Sequence, residues 1–238
     1  MNDEHDEPEV AAEGGGAATR PAGPPTVRIA DRLRAALRAR SYDLGPGRYY
    51  QPAYRHIAAA IDLQEGAFLD VGCGPGWLSI HLAAGKPELD AVGLDLSEPM
   101  LRLAGQNKGT RLNVTFRKMD AAAIVYPEAT FDAAAAVQSA HHWTNPAGVL
   151  AEVHRVLKPG GRFFIYEAEA ELDRVPEGWI ERRGLLPPDA WLRYNWRRFG
   201  MDEARWGALK AEVKQSPFGG GEDGRHGFYR RLVLRKVG

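Results

Sequence analysis

Four residues within seven positions carry the first chemical signal. Gly72, Gly74 and Gly76 alternate with Cys73 and Pro75, and Asp70 stands two residues ahead of the first glycine. Such glycines let backbone N–H groups approach a ligand, and a helix starting just after them adds a partial positive charge. A dinucleotide loop reads G-x-G-x-x-G, with the third glycine allowing helix and strand to pack closely. Here that third position is Trp77. Asp70 is a second objection, because a carboxylate at the strand's end repels a pyrophosphate. The same carboxylate favours a ligand with an ammonium group, since opposite charges attract strongly in a partly buried site. S-adenosylmethionine has an ammonium, a sulfonium and no phosphate, so the loop points to that cofactor over NAD. The plain alternative is a tight turn with no ligand. A buried aspartate beside three glycines counts against it, being costly without a partner.

These residues need a strand before them and a helix after them. Ala67–Val71 reads as a short buried strand and Trp77–Ala83 as a helix. A second strand, Asp90–Asp95, ends in another carboxylate about twenty residues past the glycines, where a ribose-binding acid is expected. Ser97 caps a helix running from Glu98 towards Asn107. The third strand is Asn113–Met119, ending at Asp120; the fourth, Phe131–Gln138, is small and apolar enough for mid-sheet. Asn145-Pro146 starts a helix through Leu157 that Lys158-Pro159-Gly160-Gly161 ends, and Arg162–Tyr166 makes a fifth strand. This alternation predicts a parallel α/β sheet covered on both faces. Leu209–Gln215 and Phe228–Lys236 read as two further strands, joined by a glycine-rich loop into an antiparallel hairpin at the sheet's edge.

The chain has 238 residues, 44% of them apolar, which suits one domain with trimmings. Formal net charge is zero, so no global field draws in nucleic acid or an acidic membrane. One cysteine, Cys73, excludes internal disulfides and cysteine-built metal sites and fits a reducing cytoplasm. The sequence shows no membrane span, and its acidic N-terminus lacks the apolar segment of a secretory signal. Residues 1–25 are expected to be a disordered acidic tail, with residues 26–238 forming the domain. Within it, 26–61 is expected to be an N-terminal helical lid: Val27–Arg40 carries five arginines among apolar residues at helical spacing, which reads either as an amphipathic helix packed on the domain with a solvated basic face or as a lid or anionic-substrate contact. Tyr42, Tyr49, Tyr50 and Tyr54 follow, either to close over a small ligand or to form a satellite core. Residues 170–207 interrupt the alternation with Trp179, Trp191, Trp196 and Trp206 and several arginines. This insertion reads as an aromatic cap over a small-molecule pocket, or as a base-stacking surface, although acidic residues offset much of its charge.

Several stretches in order resemble the class I S-adenosylmethionine-dependent methyltransferases, in the small-molecule group with an Asp-Val-Gly-Cys-Gly-Pro-Gly loop. They are Asp70–Gly76, Gly93–Ser97, Asp120-Ala121, Ser139–Trp143 and Glu152–Arg162. The resemblance implies a Rossmann-like, seven-stranded, mostly parallel sheet in the order 3-2-1-4-5-7-6, with helices on both faces and a C-terminal antiparallel hairpin. It implies S-adenosylmethionine as cofactor. Gly72, Gly74 and Gly76, with Asp70 nearby, would shape the methionine end. Asp95 would take the ribose hydroxyls, Leu96 and Met100 would sandwich the adenine, and Asp120 with Ala121 would bond its edge. Ser139 or Gln138 would line the methionine side.

Methyl transfer from a sulfonium is mainly in-line positioning plus proton removal from an oxygen or nitrogen. In open α/β sheets the reacting atoms lie beyond the carboxyl ends of the strands. His141 and His142 follow the fourth strand, and Glu167 and Glu169 follow the fifth. If the implied strand order holds, a histidine and a carboxylate can meet there. His142 and Glu167 are therefore the catalytic candidates, with Tyr49, Tyr50, His141 and Trp143 as substrate contacts. His142-Trp143 could equally just pack the loop. No metal site is expected, because His141 and His142 are adjacent and His81 reads as a surface residue. The segment after the fourth strand also lacks the Asn/Asp-Pro-Pro-Tyr/Phe loop common in base methylation. The expected activity is methyl transfer to a small organic acceptor, on O, N or C, with neither nucleic acid nor membrane as partner. The alternative is a non-catalytic cofactor-binding regulatory or partner subunit. Oligomeric state is left open.

Overall fold

The computed structural model describes residues 49–171, 176–180 and 188–238, together with 33, 36, 37 and 47; the side chains of 188–192 and 195 are outside that description. The tail 1–25, most of the Arg-rich segment 27–40 and the stretch 181–187 lie outside the described residues.

The elements run α1 (Gln51–Ile61), β1 (Gly66–Val71), α2 (Trp77–Ala83), β2 (Leu89–Asp95), α3 (Glu98–Lys108), β3 (Val114–Lys118) and β4 (Phe131–Val137), then a single 3₁₀ turn, Ala140–His142. They continue α4 (Pro146–Val156), β5 (Leu157–Ala168), α5 (Pro188–Phe199), α6 (Glu203–Gln215), β6 (Glu222–His226) and β7 (Tyr229–Arg235). The seven strands form one sheet in the order β3-β2-β1-β4-β5-β7-β6. β1 to β5 are parallel, and β7 runs antiparallel to both β5 and β6.

Successive residues of the central strands feed opposite faces, so these strands read as continuous apolar runs. Phe68, Ala133, Ala135 and Phe164 pack with Ile57 and Ile61 of α1 and Leu78 and Leu82 of α2. Leu69, Val71, Ala134, Phe163 and Ile165 pack with Val149, Leu150, Val153 and Val156 of α4 and with Trp206, Leu209 and Val213 of α6. The alanine run of β4 keeps mid-sheet side chains small on both faces.

Two expectations are corrected. Leu209–Gln215 is the second half of α6, not a strand. Leu209, Ala211 and Val213 alternate at period two, but Trp206, Leu209 and Val213 also fall on one helical face and are the residues buried. The cap settles which period wins: the Asp202 carboxylate accepts from Arg205 N at 2.8 Å. The hairpin is consequently β6–β7, turning at Gly227-Phe228. Lys158–Gly161 is likewise not a turn but the start of β5, accommodated by an irregularity in the β4 register between Phe131 and Ala133. Gly161 O and Gly160 N bond Lys236, which zips this stretch to the chain beyond β7.

The insertion after β5 is closed at its base. Met201 N donates to Ala168 O at 2.8 Å and Ala170 N to Met201 O at 3.2 Å. Gly200 is required there, since a Cβ would stand 2.8 Å from Ala170 Cα. This closure brings α5 back over the carboxyl ends of the strands.

Candidate functional site

A cavity of about 750 Å³ opens at the carboxyl ends of β1, β2, β4 and β5. Its walls include Asp70, Gly72, Gly74, Asp95, Leu96, Met100, Asp120 and Ala121. Ser139, His141, His142, Trp143, Glu167 and Tyr50 complete the set of sequence-predicted residues that reach it. Gly76 and Tyr49 are not among its lining residues. Gly76 serves the fold: at φ +82 it begins α2, and a Cβ there would stand 2.3 Å from the Phe116 ring.

The glycine loop is shaped by its carboxylates. Asp95 accepts from Gly74 N through Oδ2 at 2.8 Å and from Ser97 N through Oδ1 at 2.7 Å. One side chain thus ties β1's loop to the start of α3, with lone pairs left for a ligand diol. Gly74 has φ +51 and open space where a Cβ would be. Gly72 is crowded instead: its Cβ would lie 2.5 Å from Ser139 Cβ. Ser139 Oγ donates to Val71 O at 2.7 Å, which pins the end of β1 to the turn after β4. Asp70 is buried, with Oδ2 accepting from Ser79 Oγ at 2.7 Å. Burial pushes its carboxyl up to about 7, against the Ser79 hydrogen bonds that pull it down.

The wall that includes Asp120 and Ala121 is held from behind by α4. Glu152 accepts from Ile124 N at 2.8 Å, and Arg155 donates to Ile124 O at 2.7 Å and Tyr126 O at 2.8 Å. That clamp fixes the backbone just after Asp120, whose Oδ1 accepts from Ala122 N.

The opposite wall holds a histidine–carboxylate pair. Glu167 is the next-to-last residue of β5 and is 1% exposed. Its Oε1 accepts from Ala140 N at 2.7 Å and His141 N at 3.3 Å; its Oε2 lies 2.8 Å from His141 Nδ1. Of the two adjacent histidines it is thus His141, not His142, whose ring meets the Glu167 carboxylate. His142 is the more exposed ring, its centroid 3.9 Å from that of His141. Burial, then its neighbour His141, lowers the His142 pKa. Gln138, just before this turn, adopts φ +51, unusual for a residue with a side chain. Its Nε2 donates to Tyr229 OH at 2.7 Å, so β7 supports the sharp exit from β4.

The roof was legible only in part from the sequence: Tyr50, Tyr54 and Trp196 reach it as expected, and Phe199 was not singled out. Tyr54, Trp196 and Phe199 line the cavity, and Trp196 Nε1 donates to the Tyr50 hydroxyl at 2.9 Å. A helical run of tyrosines and a tryptophan-rich insertion were legible signals, but their pairing was not. The tryptophans do not form one cap. Trp206 is in the core beneath α6, and Trp179 stacks on His56 at 4.5 Å, apart from the cavity lining. His81, expected on the surface, is half-buried and stacked against Trp77; burial lowers its pKa to about 4.

The lining residues include four carboxylates (Asp70, Asp95, Asp120, Glu167) and, among the described residues, no lysine or arginine. That set repels a pyrophosphate and suits a cationic ligand. Among the described residues there is no cluster of His, Cys, Asp or Glu suited to a metal ion, and no helix is long and apolar enough to cross a membrane.

Residues 69–165 match the model of a methyltransferase domain family. The chain is 37% identical over 117 residues to a demethylmenaquinone methyltransferase of Deinococcus radiodurans, covering 48% of each chain. It is 32% identical over 160 residues to a ubiquinone biosynthesis O-methyltransferase of Methylococcus capsulatus, covering 60% of this chain and 66% of that one. The chain spans about half the length of the first curated relatives it matches. Among solved structures, a candidate S-adenosyl-L-methionine-dependent methyltransferase of Methanococcus maripaludis superposes with a TM-score of 0.70 at 19% identity, covering 91% of this chain and 98% of that one.

Proposed function

Because the chain belongs to the class I S-adenosylmethionine-dependent methyltransferases, we propose that it methylates a small organic acceptor at the cavity above β1, β4 and β5. The observation that carries this reading is a single chamber lined by both the Asp70–Asp95 loop and the His141–Glu167 pair.

The residues present fit the cofactor. The walls are anionic, Gly74 leaves its backbone face open, and the Asp95 carboxylate stands between the loop and α3. Asp95 would hold the ribose hydroxyls, Asp70 the cationic methionine end, and Asp120, Ala121, Leu96 and Met100 the adenine. When bound, S-adenosylmethionine supplies an electrophilic methyl group on a sulfonium.

The rest is done by this chain's own side chains. An ionised Glu167 can only accept, so His141 donates through Nδ1 and keeps its basic lone pair on Nε2. That nitrogen takes the proton from an acceptor hydroxyl or amine as the new bond to carbon forms. Glu167 stabilises the imidazolium, as a positioning residue. Tyr50, Tyr54, Trp196, Phe199 and Trp143 exclude water and hold a flat or apolar acceptor over the site. The quinone-type acceptors in the names of two relatives are consistent with such walls. His142 is the second candidate base.

The test is a labelled-methyl screen of hydroxylated aromatic and isoprenoid compounds. Turnover with one of them is expected, and its loss in His141→Ala with retained S-adenosylhomocysteine binding supports the assignment. Equal losses of turnover and cofactor affinity would sink the base role. Cofactor binding with no turnover on any acceptor would favour a non-catalytic subunit.

A further inference from the structure

Helix α5 has two faces of opposite character. Trp196 and Phe199 look onto the cavity. At about 100° per residue, Arg193, Arg197, Tyr194 and Arg198 fall within an arc of about 140° on the other side. All four are exposed, and together they line a shallow surface groove. Tyr194 is 62% exposed, and Phe199, at the boundary between the faces, is 43% exposed. The Arg198 guanidinium sits 5.4 Å from the Phe199 ring centre.

The nearby described acids are committed elsewhere. Asp202 caps α6, Glu203 takes Arg230, and Glu169 takes Arg225 and Arg230. Among the described residues none pairs with Arg193, Arg197 or Arg198. The three cations therefore form a local basic cluster on a chain whose formal net charge is zero, with Asp189, whose side chain is outside the described set, as the acid of the same helix.

We propose that this face of α5 docks on an anionic lipid bilayer. The chemistry of the face is what such a surface binds. Guanidinium groups pair with lipid phosphates in a fixed fork, and each basic side chain near an acidic leaflet adds a modest increment. Tyr194 and Phe199 are aromatic rings placed where headgroups meet acyl chains. An acidic protein would match the charges but leave the exposed Tyr194 ring unexplained. The absence of a global field, read from the sequence, still holds; the attraction is confined to one helix and acts over about a Debye length.

The experiment is vesicle flotation of the full chain with phosphatidylcholine alone and with phosphatidylglycerol added. Association that needs phosphatidylglycerol and is released by salt is expected. The triple variant Arg193→Gln/Arg197→Gln/Arg198→Gln should lower it about tenfold or more, with S-adenosylhomocysteine binding and Tm unchanged. Tyr194→Ser keeps every charge and should weaken vesicle association while leaving retention on heparin unchanged. No association with phosphatidylglycerol vesicles overturns the proposal, as does association unaltered in the triple variant. So does binding to heparin or single-stranded DNA without vesicle binding, which would assign the face to another polyanion.

Discussion

The two halves of the cavity are built at different ranges along the chain. The half formed by β1, β2 and the start of α3 is local. Asp70 meets Ser79 nine residues on, Asp95 meets Gly74 across 21, and Ser97 across two. The half proposed to take the acceptor is assembled from afar. Trp196 reaches Tyr50 across 146 residues, Gln138 reaches Tyr229 across 91, and His141 reaches Glu167 across 26. A local site can be carried by a short motif. A site made from distant elements depends on how the insertion closes at Met201 and on where β7 supports Gln138. Donor and acceptor functions should therefore be separable by mutation.

The sharpest separation is expected at His141. His141→Ala should lower kcat by roughly 100-fold or more, the usual range for losing a general base, with S-adenosylhomocysteine affinity nearly unchanged. Glu167→Gln should lower kcat less and shift the pH profile, because the imidazole loses the group that orients it. Asp95→Ala should do the converse. Losing a charged acceptor of two backbone N–H groups should weaken S-adenosylhomocysteine binding by about tenfold or more, read by calorimetry. A drop in kcat at saturating cofactor of the same size would break the division. Trp196→Phe removes the hydrogen bond to Tyr50 and should raise the acceptor KM while costing about 1 kcal/mol of stability, with cofactor affinity unchanged.

The smallest effect concerns Asp70 without ligand. Its pKa is raised from 3.8 to about 7, so the folded state holds a proton that the unfolded chain releases above the lower value. This group's contribution makes the ligand-free protein less stable as pH rises from about 4 to about 7. Asp70→Asn should remove that slope, raising Tm by a few degrees at pH 8 relative to wild type but not at pH 4. It should also weaken cofactor binding. Thermal melts at the two pH values read the first effect.

The same contrast explains what was legible in the sequence. The strand–glycine loop–helix at Asp70–Ala83, Asp95 and the five parallel strands could be read because each signal lies within one or two elements. The helix ending at Gln215 was misread because Leu209, Ala211 and Val213 satisfy period two as well, and only the Asp202 cap and Trp206 break the tie. Which of the two adjacent histidines meets Glu167 was not legible for a similar reason: it depends on which one β5 presents with a carboxylate, and spacing carries no sign of that. Tyr54, Trp196 and Phe199 were visible as aromatic residues but not as one roof, because their contact depends on the fold of the insertion.

The central claim is that an anionic chamber at the glycine loop holds a sulfonium cofactor and not a pyrophosphate. Titration calorimetry of the full chain with S-adenosylhomocysteine and with NAD tests it most directly. Saturable binding of S-adenosylhomocysteine, weakened in Asp95→Ala, with no heat from NAD is the predicted result. Tight binding of NAD without binding of S-adenosylhomocysteine would contradict it.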